Sequence, residues 1–228
     1  MKEKILVIAA HPDDEVLGCG GTIAKKALFE KSTIEVLILS KGVKSRSNIL
    51  KNINKDIKNN IQSAFKSNKL LGVKKTEILD FPDNEFDTVS LLKITKEIEK
   101  RIYKFKPNVV FTHFSGDLNI DHQITNRAVL IATRPLNKNI VNKIYGFEIC
   151  SSTDWSFNIN KHSFAPNHYE DITRTIKKKI LALKFYSKEM RKFPHSRSYE
   201  NLINLSKFRG ATVFKRNAEA FEVIRSIT

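Results

Sequence analysis

The sequence predicts an α/β fold with a mostly parallel sheet, and two features carry that prediction. Short apolar runs, each long enough for one buried strand, alternate with longer segments in which apolar residues recur every three or four positions. The chain has 228 residues, 41% of them hydrophobic and 28% charged, which suits one domain with a sizeable core and excludes a disordered chain. Such alternation is typical of parallel strands joined by helices that cover both faces of the sheet.

Five strands are predicted in the first two thirds of the chain. They are the apolar or β-branched runs 4–10, 33–40, 77–81, 108–113 and 143–149. The first run, KILVIAA, carries almost no polar residue, as expected of a parallel strand that is buried on both faces. These runs therefore predict the central part of a Rossmann-like sheet.

Four helices are predicted between these strands, over about residues 20–31, 48–72, 90–104 and 121–133. In the second helix an apolar residue recurs every four positions, at Ile49, Ile53, Ile57, Ile61 and Phe65. Gly72 is the expected C-cap of that helix, and Pro107 and Pro135 follow the ends of the next two.

The C-terminal third has a different character. A loop-rich stretch covers 151–167, and two helices rich in Lys and Arg are predicted around 172–190 and 199–227. No internal repeat and no linker-like composition separates this part from the rest. We therefore expect a single domain over 1–228, with the loop-rich and helical C-terminal part packed on the same sheet.

The formal net charge of +16 can be interpreted in two ways. A basic surface could attract nucleic acid or a phosphate-bearing small substrate, or the composition could simply be rich in lysine. The lysines are scattered, and only 177–192 resembles a basic stripe, so a nucleic-acid-binding protein is a weak alternative. Two cysteines, no long apolar segment and no signal-like N-terminus favour a reduced, cytoplasmic protein without a membrane span.

Polar residues directly follow the first predicted strand, in the order His11, Pro12, Asp13, Asp14 and Glu15. Ligands of doubly wound sheets bind at the carboxyl ends of the strands, and a group of acids there needs a positive charge. Imidazole and carboxylate together suit Zn²⁺ or a similar divalent first-row metal. Because Pro12 stiffens the turn, His11 and Asp14 can converge while Asp13 points elsewhere.

The next segment, Gly18-Cys19-Gly20-Gly21, raises the alternative of a dinucleotide-dependent oxidoreductase. That alternative is weak because Ile23 stands where the fingerprint requires its third glycine. Small residues here more simply allow the first helix to approach the sheet, with Cys19 serving in packing.

A second polar cluster, 112–122, follows the fourth strand. In the usual doubly wound order the first and fourth strands are neighbours, so both clusters open on one crevice. The second cluster can then supply a third metal ligand, for which His113 and His122 are both candidates. Three protein ligands leave a coordination position for water, which is the arrangement of a catalytic site.

Together, the strand that runs into AHPDDE and the later Asp117-Leu118-Asn119-Ile120-Asp121-His122 resemble the PIG-L (LmbE-like) zinc-dependent N-deacetylase family. The loops around Arg46 and around Asp83 are similar to the family's loops after its second and third strands. The resemblance covers residues 1–150 well and the remainder more weakly.

The resemblance implies roles for individual residues. His11, Asp14 and His122 would bind Zn²⁺, and Asp13 would be the general base. Asp121 would hold or charge a neighbouring imidazole. Asn119 stands where many members carry the histidine that stabilises the oxyanion, so Asn119, His113 or His168 is the expected donor.

Substrate contacts are implied for Arg46, Asp83 and Asn84. The aromatic residues of 151–169 either form walls of the sugar site or fill a core beneath this loop; they are Trp155, Phe157, Phe164 and Tyr169. The implied function is metal-dependent hydrolysis of the acetamide of an N-acetylated amino sugar, carried on a nucleotide, a glycan or a small conjugate. Self-association into a homo-oligomer is also left open.

Overall fold

A computed structural model describes residues 2–42, 53–136, 141–157 and 163–227 of the chain. In these residues the strands are β1 (Lys4–Ala9), β2 (Thr33–Ser40), β3 (Lys75–Phe81), β4 (Val109–His113), β5 (Lys143–Phe147), β6 (His168–Asp171) and β7 (Ala218–Ser226). The α-helices are α1 (Asp14–Leu28), α2 (Ile53–Leu71), α3 (Leu91–Phe105), α4 (Ile120–Ala132), α5 (Ile176–Leu183) and α6 (Tyr199–Ala211). None of the helices described is long and apolar enough to cross a membrane.

All seven strands form one sheet in the order β3-β2-β1-β4-β5-β7-β6. The first five are parallel, whereas β7 runs antiparallel to β5 and β6 antiparallel to β7. Alternate residues of β1 enter two different apolar cores, one on each face of the sheet. The predicted α/β class is therefore confirmed, and the adjacency of β1 and β4 brings their carboxyl ends to one edge.

Helix α1 differs from its prediction because it begins at Asp14 rather than at Gly20. A kink at Cys19, with φ −144° and ψ 23°, divides it into two parts. A Cβ atom on Gly18 would lie 2.3 Å from the ring of Phe147, so glycine permits the close approach of this helix to the sheet. The segment that resembles a dinucleotide-binding loop is thus a packing device.

The C-terminal third corrects two further predictions. The helix expected over 172–190 ends at Leu183 and continues only as a short 3-10 turn. The helix expected over 199–227 ends at Ala211, and β7 follows it. Strand β7 forms hydrogen bonds with both β5 and β6. These pairings satisfy backbone N–H and C=O groups of β5 and β6, which a helix over 218–226 could not do.

A buried ion pair attaches this C-terminal part to the kink of α1. The carboxylate of Glu219 accepts hydrogen bonds from the backbone N–H groups of Gly21 (2.9 Å) and Thr22 (2.7 Å). Lys179 Nζ lies 2.7 Å from Glu219 Oε1 and donates to the carbonyl oxygen of Leu17 at 2.7 Å. The pair therefore satisfies the amides and the carbonyl that an interrupted helix leaves without helical partners.

Candidate metal centre

The turn between β1 and α1 brings His11 and Asp14 together at the carboxyl edge of the sheet. Asp13 has a left-handed backbone conformation (φ 107°), which reverses the chain. Its carbonyl oxygen accepts from the amides of Val16 and Leu17 and so starts α1. His11 donates its backbone N–H to Asp14 Oδ2 at 2.8 Å, and His11 Nδ1 lies 3.2 Å from the same oxygen. The geometry is the convergence expected from the rigid turn.

His122 reaches the same point from the first turn of α4, which follows the loop after β4. Asn119 caps α4, its Oδ1 accepting from the backbone N–H of Asp121 at 2.8 Å. His122 Nε2 lies 3.3 Å from His11 Nδ1 and 3.3 Å from Asp14 Oδ2. The three potential ligand atoms of His11, Asp14 and His122 all fall within 4.8 Å of one another.

His113, the other candidate for third ligand, has a different position. It is fully buried, and its Nε2 accepts a hydrogen bond from the backbone N–H of Ala10 at 2.9 Å. Its ring stacks on that of His122 with 3.9 Å between centroids. Burial and the neighbouring His122 charge keep the pKa of His113 well below its usual value. His113 is therefore a neutral residue that supports the His122 ring, and the geometry favours His122 as the ligand.

A carboxylate that sequence reasoning does not single out holds His122 in place. Asp117 Oδ1 lies 3.1 Å from His122 Nδ1, on the side of the ring away from Asp14. The carboxylate of Asp117 also accepts from the hydroxyls of Ser152 and Thr153. Burial acts to raise the pKa of Asp117, but His122 and these hydrogen bonds lower it to about 2. Metal-binding histidines commonly give their second nitrogen to such a carboxylate, which is the one signal that could have identified Asp117.

Asp121 plays the same part for His11. Its Oδ2 lies 2.9 Å from His11 Nε2 and accepts from the backbone N–H of Asn84 at 2.7 Å. Asp83 Oδ1 lies 3.4 Å from the same ring nitrogen. The structure thus places Asp121 beside an imidazole, as expected, and brings Asp83 and Asn84 to the same site.

The charges of this cluster fit a divalent cation. Burial alone would lower the pKa of both imidazoles, yet the surrounding carboxylates raise it to about 10 for His11 and about 9 for His122. The carboxylates therefore stabilise positive charge at this site, here the protons on the two imidazoles. Two imidazole nitrogens and one carboxylate oxygen around one point form a three-ligand set of the kind that holds catalytic zinc.

A cleft of about 160 Å³ opens over the cluster. Among the described residues its charged side chains other than the histidines are Asp13, Asp14, Asp83, Glu189 and Arg197. Arg197 Nη1 donates to Asp13 Oδ2 at 3.1 Å, a contact between residues far apart in sequence that no motif indicates. Among the described residues that line the cleft, acids therefore outnumber cations.

Glu15, the third acid of the first cluster, has a structural position behind the cleft. Its Oε1 accepts from the hydroxyl of Tyr186 at 2.8 Å and from Asn68 Nδ2 at 3.1 Å, and its Oε2 from the backbone N–H of Asp13. Burial raises the pKa of Glu15 to about 8. The three consecutive acids thus divide into a cleft residue, a potential ligand and a buried support.

His168 is not brought to this site. It lies on β6, where its ring stacks on Tyr145 at 4.5 Å and its Nε2 lies 3.4 Å from Glu170. Glu170 in turn binds Lys25 near the C-terminal end of α1, the opposite end of that helix from Asp14. Of the three predicted oxyanion donors, His168 does not line the cleft, and its ring contacts Tyr145 and Glu170 instead.

Of the remaining predicted residues, some line the cleft and others have contacts elsewhere. Asn119 lines the cleft, and its Nδ2 donates to Asn84 Oδ1 at 3.0 Å. Phe164 packs edge-to-face on Phe114, and Trp155 packs on His195, so both rings have partners outside the metal cluster. Arg46 lies outside the described residues.

Comparison with known proteins identifies relatives of this chain. The family model described as PIG-L: GlcNAc-PI de-N-acetylase matches residues 6–133. The diacetylchitobiose deacetylase of Thermococcus kodakarensis is 27% identical over 194 residues, which cover 82% of this chain and 70% of that protein.

Two solved structures show how widely the fold is used. The N,N'-diacetylchitobiose deacetylase of Pyrococcus horikoshii superposes with a TM-score of 0.78 at 21% identity, over 97% of this chain and 84% of that one. The 4-carboxy-2-hydroxymuconate hydratase GalB of Pseudomonas putida also gives 0.78, at 20% identity, over 100% and 98% of the two chains. At such identities the likeness shows the fold alone, so the reaction must be argued from the site.

Proposed function

This chain belongs to the PIG-L family of GlcNAc-PI de-N-acetylases, and we propose that it is a metal-dependent N-deacetylase that releases acetate from an N-acetylated amino sugar. The observation that carries the proposal is the convergence of His11, Asp14 and His122 on one point of an acid-lined cleft. Similarity to a diacetylchitobiose deacetylase supports the choice of an acetamido sugar.

The proposed metal is Zn²⁺, which suits a set of two imidazoles and one carboxylate. His11 would bind through Nδ1, His122 through Nε2 and Asp14 through Oδ2, because these are the atoms that face one another. A bound zinc ion supplies a Lewis acid that makes water a nucleophile near neutral pH and polarises an amide carbonyl. Asp121 and Asp117 orient the two imidazoles from behind.

Asp13 is the proposed general base. It lines the cleft next to the proposed ligand Asp14, and its Oδ2 accepts a hydrogen bond from Arg197 Nη1 at 3.1 Å. A carboxylate placed there can take a proton from the attacking water and return it to the nitrogen of the leaving amine. Both transfers use one side chain, so no second acid is required.

Asn119 is the proposed donor to the developing oxyanion. Its amide lies in the cleft, whereas Nε2 of His113 already accepts from Ala10 and His168 lies on β6. A single well-placed donor of this kind typically contributes a factor of about 10² to 10³ in kcat. The amide of Asn119 would exchange its present acceptor, Asn84 Oδ1, for the substrate oxygen.

Asp83 and Asn84 are proposed to accept from and donate to sugar hydroxyls, and Arg46 keeps the same proposed role. The acids of the cleft favour a neutral acetamido group and a cationic amine product over an anion. A phosphate-bearing carrier, if the substrate has one, would therefore extend beyond the acid-lined part of the cleft.

Mass spectrometry of a substrate panel tests the proposal. Zinc-loaded and metal-stripped protein would be incubated with N-acetylated monosaccharides, chito-oligosaccharides, sugar nucleotides and glycosides. We expect loss of one acetyl group and stoichiometric free acetate with the loaded protein only, and little product with Asp13→Asn. Addition of water without acetate release, or no acetate from the whole panel, would contradict deacetylation.

A further inference from the structure

Arg197 enters the candidate active-site cleft from the segment between Met190 and α6. Its Nη1 donates to Asp13 Oδ2 at 3.1 Å, and its Nε donates to Ser151 Oγ at 2.9 Å. The side chain of Arg197 is only 17% exposed and that of Asp13 4%. The pair is thus largely removed from solvent, where a hydrogen-bonded ion pair is directional and weakly screened.

The main chain of Arg197 is also held in place. Its amide donates to His195 Nδ1 at 3.0 Å, and its carbonyl oxygen accepts from the amide of Arg191 at 3.1 Å. Ser151, which receives Nε, is itself tied to the same segment through its own amide, which donates to Ser196 Oγ. Arg197 is therefore preorganised rather than free to follow its partner.

The main chain of Asp13 is equally constrained. Its left-handed conformation is held by the hydrogen bond from its amide to Glu15 and by the helical bonds to its carbonyl oxygen. With the backbone fixed, the direction of the carboxylate depends on rotation about the side-chain bonds. Neighbouring carboxylates such as those of Asp13 and Asp14 repel each other, whereas the hydrogen bond from Arg197 attracts the Asp13 carboxylate and favours one orientation of it.

We propose that Arg197 is a positioning residue: by bridging Asp13 and Ser151 it fixes the Asp13 carboxylate in the orientation that serves the His11–Asp14–His122 cluster. The inference rests on the proposed function, because Asp13 is the general base only within it. An error of about 1 Å in the placement of a reacting group can reduce turnover by about 10².

A purely structural role would have different consequences. If Arg197 only ties its segment to the turn after β1, its loss lowers stability and leaves the turnover of the folded protein unchanged. If Arg197 binds substrate directly, its loss raises KM. If it positions Asp13, its loss lowers kcat and leaves KM and zinc content nearly unchanged. This decrease in kcat should occur only when Asp13 is present.

The kinetic test is a double-mutant cycle. We expect Arg197→Gln to lower kcat by about 10- to 100-fold, and Arg197→Lys to recover part of that loss because it restores the charge without the two-point fork. In the Asp13→Asn background, Arg197→Gln should cause little further loss. Losses that multiply, or a kcat of Arg197→Gln within twofold of wild type, would overturn the proposal.

Arg191→Gln is the matched control. Arg191 lies in the same segment, but its Nη1 donates to the carbonyl oxygens of Lys188 and Met190 and it does not line the cleft. We expect its kcat to equal that of wild type at full zinc content. A loss equal to that of Arg197→Gln would assign the effect to the segment as a whole.

Crystal structures of zinc-loaded wild type and Arg197→Gln give a readout that needs no substrate. We expect the Asp13 carboxylate to turn or become disordered in the variant while the three metal ligands stay in place. An unchanged Asp13 carboxylate would overturn the inference. If wild type releases no acetate from any substrate, the proposed function fails, and these structures still decide whether Arg197 fixes Asp13.

Discussion

Nδ1 of His122 lies 3.1 Å from Oδ1 of Asp117, so a candidate metal ligand on α4 is held by a buried carboxylate from the loop that precedes this helix. Asp117 is held in turn by the hydroxyls of Ser152 and Thr153, which follow β5. The orientation of His122 thus depends on two neighbouring loops of the sheet. Such outer carboxylates set the tautomer and basicity of a metal-bound imidazole.

Replacing Asp117 should weaken metal binding without removing a ligand. We expect Asp117→Asn to lower zinc affinity by about 10- to 100-fold, because the amide accepts the Nδ1 proton less strongly and fixes the ring less well. Competition with a chromophoric chelator measures the affinity. Asp87→Asn, which changes an exposed acid, is the control and should bind like wild type. Equal affinities for all three proteins would contradict the assigned role.

Metal content distinguishes the assigned ligands from other histidines. We expect His11→Ala and His122→Ala to lose most bound zinc, because each removes one of three ligands. His168→Ala should keep one zinc per chain, since His168 stacks on Tyr145 on a different part of the sheet. Elemental analysis after dialysis against zinc-free buffer gives the measurement. Full zinc content in either ligand variant would show that the ligand set is wrong.

Asn119 has two functions that substitution can separate. Its Oδ1 caps α4, and its Nδ2 is the proposed oxyanion donor. Asn119→Ser keeps an N-cap oxygen and removes the amide donor, so we expect an unchanged melting temperature and a kcat reduced by about 10²- to 10³-fold. His168→Ala should leave kcat near the wild-type value. A normal kcat in Asn119→Ser would place the donor elsewhere.

The parts of this fold that could be predicted are those determined by local pattern. Each of β1 to β5 is an apolar run next to a turn, and these runs together with the usual doubly wound strand order predict that the ends of β1 and β4 lie together. The sequence predicts helix where β7 forms because Ala218, Glu219 and Ala220 favour helix, and pairing with β5 and β6 overrides that preference.

In the candidate site, too, the residues of local motifs could be predicted and those brought in by tertiary packing could not. His11, Asp14 and His122 could be named because metal chemistry limits the residue types and both segments follow strands. The role of Asp117 could not be predicted, because it depends on the direction in which the His122 ring faces. Arg197 meets Asp13 across 184 positions of sequence, through a segment whose path no periodicity determines. Contacts of that kind follow from tertiary packing and not from a motif.

The buried pair Lys179–Glu219 gives a stability prediction. Lys179→Met should destabilise the protein by about 3 to 5 kcal/mol, because it leaves the Glu219 carboxylate buried without its cation. Lys179→Met with Glu219→Gln should recover part of the loss, since no unpaired charge remains while an acceptor for the amides of Gly21 and Thr22 is kept. Urea unfolding measures both, and Lys177→Met, an exposed lysine of the same helix, is the control. A double variant less stable than Lys179→Met alone would contradict this account.

Glu170 makes the stability of the β6 edge depend on pH. Burial acts to raise its pKa, but hydrogen bonds from His168 and Lys25 and the charges of Lys25 and Lys26 lower it from 4.5 to about 2. Because the pKa is lower in the folded than in the unfolded chain, the ionised carboxylate stabilises the fold fully above pH 4.5, and this contribution is lost as the pH falls toward 2. The lowering corresponds to at most about 3 kcal/mol, and part of it is screened because Lys25 is 26% exposed.

We therefore expect Glu170→Gln to be less stable than wild type by about 1 to 3 kcal/mol at pH 7, and the difference to shrink steadily below pH 4.5. Urea unfolding at pH 7, 4.5 and 3.5 gives the three differences in free energy of unfolding. Glu200→Gln, which changes an exposed carboxylate at the start of α6, should differ from wild type by less than about 0.5 kcal/mol at each pH. A Glu170→Gln difference that stays constant from pH 7 to 3.5 would mean that the carboxylate charge does not hold this edge of the sheet to α1.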